Sequence, residues 1–277
     1  MSNRIRLNWL NNELAERAAA IVAGRLEPAP ARDAATVIVI RDPIEILMLK
    51  RPGTMNFAAG AYVFPGGRVD AADADPRIGW HGPSPAEFGA ALGASPDEAR
   101  GLVIAAVRET YEESGVLLAG TPDGGTVLPA GAGWTADRAA LNAGELSFPD
   151  FLVQRGLVIL ADRIVPWARW ITPEAESRRY DTRFFAALMP PGQTADGHLA
   201  EADTIAWVDP AGALDRARAR EIMLLPPTAT TLGEFARAGD TAAFLRQPRA
   251  IAPIQPVVVA SDGEAWLEIP EGVVYPL

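Results

Sequence analysis

The chain has 277 residues, enough for one large domain or two small ones, and its 49% hydrophobic and 22% charged residues are ordinary for a globular protein. A net charge of −10 opposes general attraction to nucleic acid, no apolar run approaches the roughly 18 residues that cross a bilayer, and Met-Ser-Asn-Arg is too polar a start for a signal peptide. The absence of cysteine removes disulfides, thiolate metal sites and cysteine nucleophiles together.

Neither nucleic acid nor membrane is therefore an expected partner, and the expected location is the cytoplasm. Lys50 is the single lysine. A positive charge carried almost wholly by arginine is compatible with bidentate phosphate contacts, but coding bias is the favoured cause.

Residues 9–25 place Leu10, Leu14, Ala18, Ile21 and Val22 at helical spacing, which predicts a packing or dimerisation helix outside the catalytic core. Residues 34–40 and 45–51, joined by an Asp42-Pro43 turn, predict two paired strands. A third, 61–64, ends in Pro65-Gly66-Gly67. Residues 70–94 are rich in Ala, Asp, Pro and Gly and carry Trp80 and His81, so an inserted surface loop is expected.

Residues 95–115 read as one helix with both ends written. Ser95 is the N-cap, Pro96 takes the first helical position, Glu98 closes a capping box and Gly115 provides the exit. Glu109, Glu112 and Glu113 fall in a wedge about 100° wide, opposite Val103, Ile104, Val107 and Tyr111. Each like-charge pair in that wedge costs about 0.2–0.5 kcal/mol, and Arg108 offsets only part. Ala105 and Ala106 are expected to leave room beside the carboxylates. An exposed acidic face is the plain reading of Glu-x-x-Glu-Glu. Against it stands the Pro-Gly-Gly turn upstream, where glycine lets a backbone carbonyl approach a hard cation that clustered carboxylates would hold.

Residues 120–134 are a Gly- and Pro-rich loop, and 135–157 are expected to be helical, with Thr135 and Ser147 as caps and Phe148, Phe151 and Leu152 packing. Strand character resumes at 167–172 and 178–187. In the latter, Arg178, Arg179 and Arg183 face either a phosphate-bearing ligand or a polar strand edge. A loop over 192–203 delivers Glu201 to a strand at 204–208; His81 and His198 read as solvated loop residues. A helix over 211–222, a second capping box at Thr231 and Glu234, and a hairpin through Asp262-Gly263 complete the chain. There is no internal repeat, and no linker separates independent domains. No Gly-x-Ser-x-Gly elbow supports a serine hydrolase.

The run Arg108, Glu109, Glu112, Glu113, Gly115, Val116 resembles the second half of the Nudix hydrolase signature: a glycine, five residues, a glutamate, seven residues, then R-E-U-x-E-E-x-G-U with U aliphatic. Thr110 replaces one aliphatic residue, Gly67 matches the first glycine, and Asp73 stands at the glutamate position. Between Asp73 and Arg108 the chain carries twenty-seven extra residues. This split arrangement resembles the branch containing the peroxisomal coenzyme A diphosphatases, as do residues 167–173, 179–185 and the tail near Ser261, so the resemblance covers about residues 34 to 270. The ending Tyr275-Pro276-Leu277 is not a peroxisomal tripeptide, which keeps the expected location cytoplasmic.

The resemblance implies an α/β fold, a Nudix α/β/α sandwich with a mixed sheet between helices, forming one domain over 1–277 with a C-terminal extension at 222–277. It implies Mg²⁺ or Mn²⁺ held by Glu109, Glu112 and Glu113 with the carbonyl of Gly66 or Gly67. Arg108 would orient a glutamate, and Glu112 or Glu201 would serve as general base. Arg51, nine residues before Gly60, keeps the spacing of a coenzyme A motif whose second arginine is here Asn56. With Arg179 and Arg183 it completes the implied substrate contacts. The implied substrate is a small nucleotide diphosphate, coenzyme A first, with ADP-ribose, NADH or a nucleotide sugar as alternatives and a non-cleaving nucleotide sensor as the rival class. The family resemblance allows a homodimer.

Overall fold

The computed structural model describes residues 4–6, 12–53, 59–197, 204–261 and 264–277. Its organising element is the strand Ala31–Arg41, buried without interruption from Ala34 to Ile40. A strand buried on both faces reads as a continuous apolar run, and this one is covered on both. Ala35, Val37 and Val39 enter one core with Leu47, Phe185 and the 96–114 helix. Ile38 and Ile40 enter the other with Ile46, Met48, Phe184, Trp167 and Phe235. The period-2 alternation of strands thus divides the molecule into helix, sheet and helix layers.

The central strand runs parallel to Arg179–Leu188, with Val37 opposite Phe185. It runs antiparallel to Glu45–Lys50 and to Gly66–Arg68, with Ala35 opposite Gly67. Arg179–Leu188 pairs antiparallel with Val165–Ile171. On the other side Glu45–Lys50 pairs with Thr204–Val208 and Ala61–Val63. The sheet is mixed, as expected.

The helix Pro96–Ser114 has the predicted ends. Ser95 Oγ accepts from Glu98 N–H at 3.2 Å, Glu98 returns a carboxylate to Ser95 N–H at 2.8 Å, and Gly115 leaves at φ 72°. The expected room at Ala105 and Ala106 does not exist: both are fully buried. Their small side chains let the helix press against the central strand, the Gly66–Arg68 strand and the turn at 71–74.

Residues 70–94 are not a surface loop. They form a short 3₁₀ turn, Ala71–Ala74, a strand, Gly79–His81, parallel to Val158–Leu160, and a helix, Pro85–Leu92. Ser84-Pro85-x-Glu87 repeats the cap written at Ser95-Pro96-x-Glu98, and it buries Phe88 and Leu92 beside the acidic helix. Composition alone concealed that signal. Arg77 bridges to Asp150 at 2.8 Å and Arg100 Nη2 donates to Ile78 O at 2.6 Å, tying the insertion down on both sides.

Smaller differences follow from local rules. The first helix is Asn12–Val22 and packs through Leu14 and Ala18 on Val258 and Leu267 of the C-terminal hairpin, whose turn at Asp262-Gly263 lies outside the described residues. Residues 135–157 hold two helices, Ala132–Asn142 and Phe148–Arg155; Ser147 caps the second, and Thr135 lies inside the first. Thr231 and Glu234 are not a cap either. The Pro226–Phe235 helix starts at its prolines, leaving Thr231 buried in mid-helix and Glu234 accepting from Trp167 Nε1 at 2.8 Å. Among the described residues no helix is long and apolar enough to cross a membrane.

Candidate active site

Pairing with the central strand carries Pro65-Gly66-Gly67 beneath the acidic helix. Thr36 Oγ1 donates to Pro65 O at 2.5 Å, and Gly66 N–H donates to Glu113 Oε2 at 2.8 Å. A Cβ on Gly67 would stand 2.7 Å from Glu109 Oε2, and one on Gly66 would stand 2.6 Å from Thr36 Cα. Both glycines are therefore sites of close approach: backbone and carboxylate occupy the space a side chain would need.

Arg108 organises the carboxylates. It is 7% exposed, and its Nε and Nη2 each donate to Asp73 at 3.0 Å, one to each oxygen. Nη2 also donates to Arg68 O at 2.9 Å. Nη1 donates to Glu109 Oε1 at 2.8 Å and lies 3.4 Å from Glu112 Oε2. Asp73, fully buried, also accepts Asp70 N–H at 2.8 Å. The residue at the signature's glutamate position thus joins the two halves across the insertion.

Burial pushes the Glu112 carboxyl up to about 7; Arg108 opposes the shift, and Glu109 and Asp73 add to it. Burial raises Glu109 as well, against the pull of Arg108. A folded-state value above the unfolded one means the native protein holds protons that the unfolded chain releases, so stability falls as pH rises from about 4.5 to about 7. The metal-free protein should melt several degrees lower at about pH 8 than at about pH 5 by calorimetry. A flat profile would contradict the buried-carboxylate account.

Among the described residues no three His, Asp or Glu side chains form a ready cage for a metal ion. Glu109 and Glu112 do reach toward the same guanidinium nitrogen, each side chain 16% exposed, beside a glycine backbone that closely approaches Glu109. This all-oxygen set fits Mg²⁺ or Mn²⁺, since Mg²⁺ takes one or two carboxylates and completes its shell with water and substrate phosphate.

The other expected residues are placed as follows. Arg51 N–H donates to Ala61 O at 2.9 Å and Arg51 O accepts from Gly60 N–H at 3.1 Å, so the backbones of Arg51 and Gly60 meet. Arg51 Nε is buried with no partner among the described residues. Arg179 is tied to Thr172 O and Ala29 O at 3.1 and 2.7 Å. Arg183, 5% exposed, is paired with Asp181 at 2.7 Å and Asp33 at 3.0 Å, and both guanidiniums are engaged within the sheet. Arg178 is exposed. Glu201, His198 and Asn56 lie outside the described residues.

The loop leading toward Glu201 is anchored at the acidic helix: Asp196 N–H donates to Ser114 O at 2.7 Å. Buried Gln193 accepts from Leu117 N–H at 2.8 Å and donates to Leu117 O and Val127 O at 3.0 and 2.9 Å. Nothing in the sequence marked Gln193, whose partner lies 76 positions away. A cleft of about 470 Å³ opens along the Gly66–Arg68 strand, with Arg32, Arg68 and Asp70 in its lining.

A family model described as the NUDT19 Nudix domain matches residues 86–235. The putative nudix hydrolase 7 of Caenorhabditis elegans is 30% identical over 84% of this chain and 70% of its own. The acyl-coenzyme A diphosphatases NUDT19 of Gallus gallus and Homo sapiens are each 30% identical, over 66% and 72% of this chain. The matches span 58% and 63% of those two proteins, less than two thirds of either. A Nudix hydrolase structure from Alicyclobacillus acidocaldarius superposes with a TM-score of 0.68 at 28% identity, covering 80% of this chain and 98% of that one.

Proposed function

The chain belongs to the Nudix hydrolase family, and from that premise we propose that it cleaves the diphosphate bond of coenzyme A or an acyl-coenzyme A, giving 3′,5′-ADP and 4′-phosphopantetheine or its acyl form. The carrying observation is the cluster in which Arg108, locked to Asp73, holds Glu109 and Glu112, with Glu109 against Gly67 of the Gly66–Arg68 strand. Support for the substrate comes from the names of the two vertebrate relatives and from the meeting of Arg51 with Gly60. Arg179 and Arg183 drop to a secondary place, because the sheet already engages them.

Glu109, Glu112 and Glu113, with the carbonyl of Gly66 or Gly67, would hold the Mg²⁺ or Mn²⁺ that Nudix hydrolases generally use. When bound, such an ion neutralises phosphate charge and lowers the pKa of water toward neutrality. Glu112 or Glu201 takes the proton of the water whose oxygen attacks phosphorus as the bridging P–O bond breaks. Arg108 offsets the repulsion between the two glutamates and orients them rather than meeting the substrate.

Incubation with Mg²⁺ and coenzyme A, acetyl-coenzyme A, ADP-ribose or NADH, with products separated by chromatography, tests the reading. Release of 3′,5′-ADP from the coenzyme A substrates is expected. Cleavage of ADP-ribose or NADH alone would move the substrate assignment, and no cleavage of any would favour a nucleotide sensor.

Gly67→Ala should weaken Mn²⁺ binding at least tenfold, because the added methyl displaces the Glu109 carboxylate. Calorimetric titration checks this, with circular dichroism to show the fold retained. An unchanged affinity would remove Gly67 from the site.

A further inference from the structure

The last carbonyls of the acidic helix are met by two later segments rather than left to solvent. Arg138 Nε donates to Glu112 O at 3.0 Å and Asn142 Nδ2 donates to the same oxygen at 3.2 Å, both from the helix Ala132–Asn142. Asp196 N–H donates to Ser114 O at 2.7 Å. Arg138 is 4% exposed, its Nη1 stands 4.0 Å from Asp196 Oδ2, and its Nη2 has no partner among the described residues. It crosses the helix exit so closely that a Cβ on Gly115 would lie 3.0 Å from Nη1.

Burying a guanidinium is unfavourable unless it is compensated, and burial lowers its pKa here. Satisfying one carbonyl does not require that arrangement, since the neutral Asn142 amide already reaches Glu112 O. What Arg138 adds is a link from the backbone of Glu112 to Asp196, on the loop that is itself hydrogen-bonded to Ser114. Glu112 is consequently held from both ends: Arg108 lies beside its carboxylate and Arg138 grips its carbonyl.

We propose that Arg138 is a positioning residue that joins the last turn of the acidic helix to the loop around Asp196, setting the Glu112 and Glu113 carboxylates for the divalent cation. The inference rests on the metal reading above. Because the guanidinium acts through the backbone, its loss lowers metal affinity in a protein that is still folded, whereas a merely structural residue would lower thermal stability alone.

Mn²⁺ is titrated calorimetrically into the parent, Arg138→Met, Arg138→Lys and Asp196→Ala, well below each melting temperature, with thermal melts recorded separately. Expected are at least tenfold weaker binding for Arg138→Met, partial recovery for Arg138→Lys, which keeps the charge, and about threefold weakening for Asp196→Ala. Binding by Arg138→Met within twofold of the parent would overturn the inference, as would unchanged binding by Asp196→Ala. If Arg138→Met fails to fold, the lysine and Asp196 variants decide by the same criterion. A parent that binds no Mn²⁺ overturns the metal reading itself, and this inference with it. A parent that binds while all variants match it overturns this inference alone.

Discussion

Glu112→Gln is expected to lose at least a hundredfold in turnover while the fold stays intact. The amide has the shape of the carboxyl, so packing around a side chain that is 16% exposed is unchanged. It still offers an oxygen to Arg108 Nη1. Burial already disfavours the charged form, as the rise to about 7 shows, and an uncharged replacement therefore leaves stability at neutral pH equal or higher. What disappears is the negative oxygen that would both hold the cation and receive the proton of the attacking water. The measurement is turnover at saturating Mg²⁺ alongside a thermal melt. Near-normal activity would sink the metal-site reading, and low activity with a collapsed fold would show a structural role instead.

The largest expected effect on stability belongs to Asp73→Ala, about 3–5 kcal/mol, the range for removing one partner of a buried ion pair. Asp73 is fully buried, meets two nitrogens of Arg108, and accepts the Asp70 N–H that starts its own turn. Its removal leaves the guanidinium to the Arg68 carbonyl, to the more distant Asp70 carboxylate and to Glu109 and Glu112, and draws it toward the two glutamates. Catalytic loss should accompany the loss of stability. Asp73→Asn, which keeps an acceptor, should cost less. Adding Arg108→Met to Asp73→Ala should cost less than the sum of the two single changes, because both remove the same ion pair, and should recover none of the activity, because the glutamates then lose the guanidinium that orients them. Chemical denaturation of the four proteins checks this. An Asp73→Ala variant within about 1 kcal/mol of the parent would contradict it.

These two variants separate the parts of the site by how they are encoded. The acidic helix was readable because its information is local: Ser95 and Glu98 exchange bonds three residues apart, and three glutamates on one face follow from helical periodicity. Pro65-Gly66-Gly67 read as a turn, but the bend is at Pro65 alone, and Gly66 and Gly67 belong to a strand that pairs with the distant residues Thr36 and Ala35. The cap Ser84-Pro85-x-Glu87 was equally local and equally legible, but a loop-like composition hid it. Thr231 and Glu234 show the opposite error, a cap pattern overridden by prolines that had already started the helix.

The amino-acid sequence by itself determined the helix and its ends, the paired strands at 34–40 and 45–51, the acidic trio, and the family to which the trio belongs. Only the tertiary structure decided what each charged group meets. Asp73 and Arg108 are 35 positions apart, Arg138 reaches Glu112 across 26, and Gln193 reaches Leu117 across 76. Arg179 and Arg183, readable as phosphate contacts, are engaged by carbonyls and aspartates that strand register brings beside them. Capping and periodicity act over three or four residues and are written into the chain. The partner of a buried charge is whichever opposite group the packed sheet and helices place within about 3 Å of it, and that distance exists only after folding.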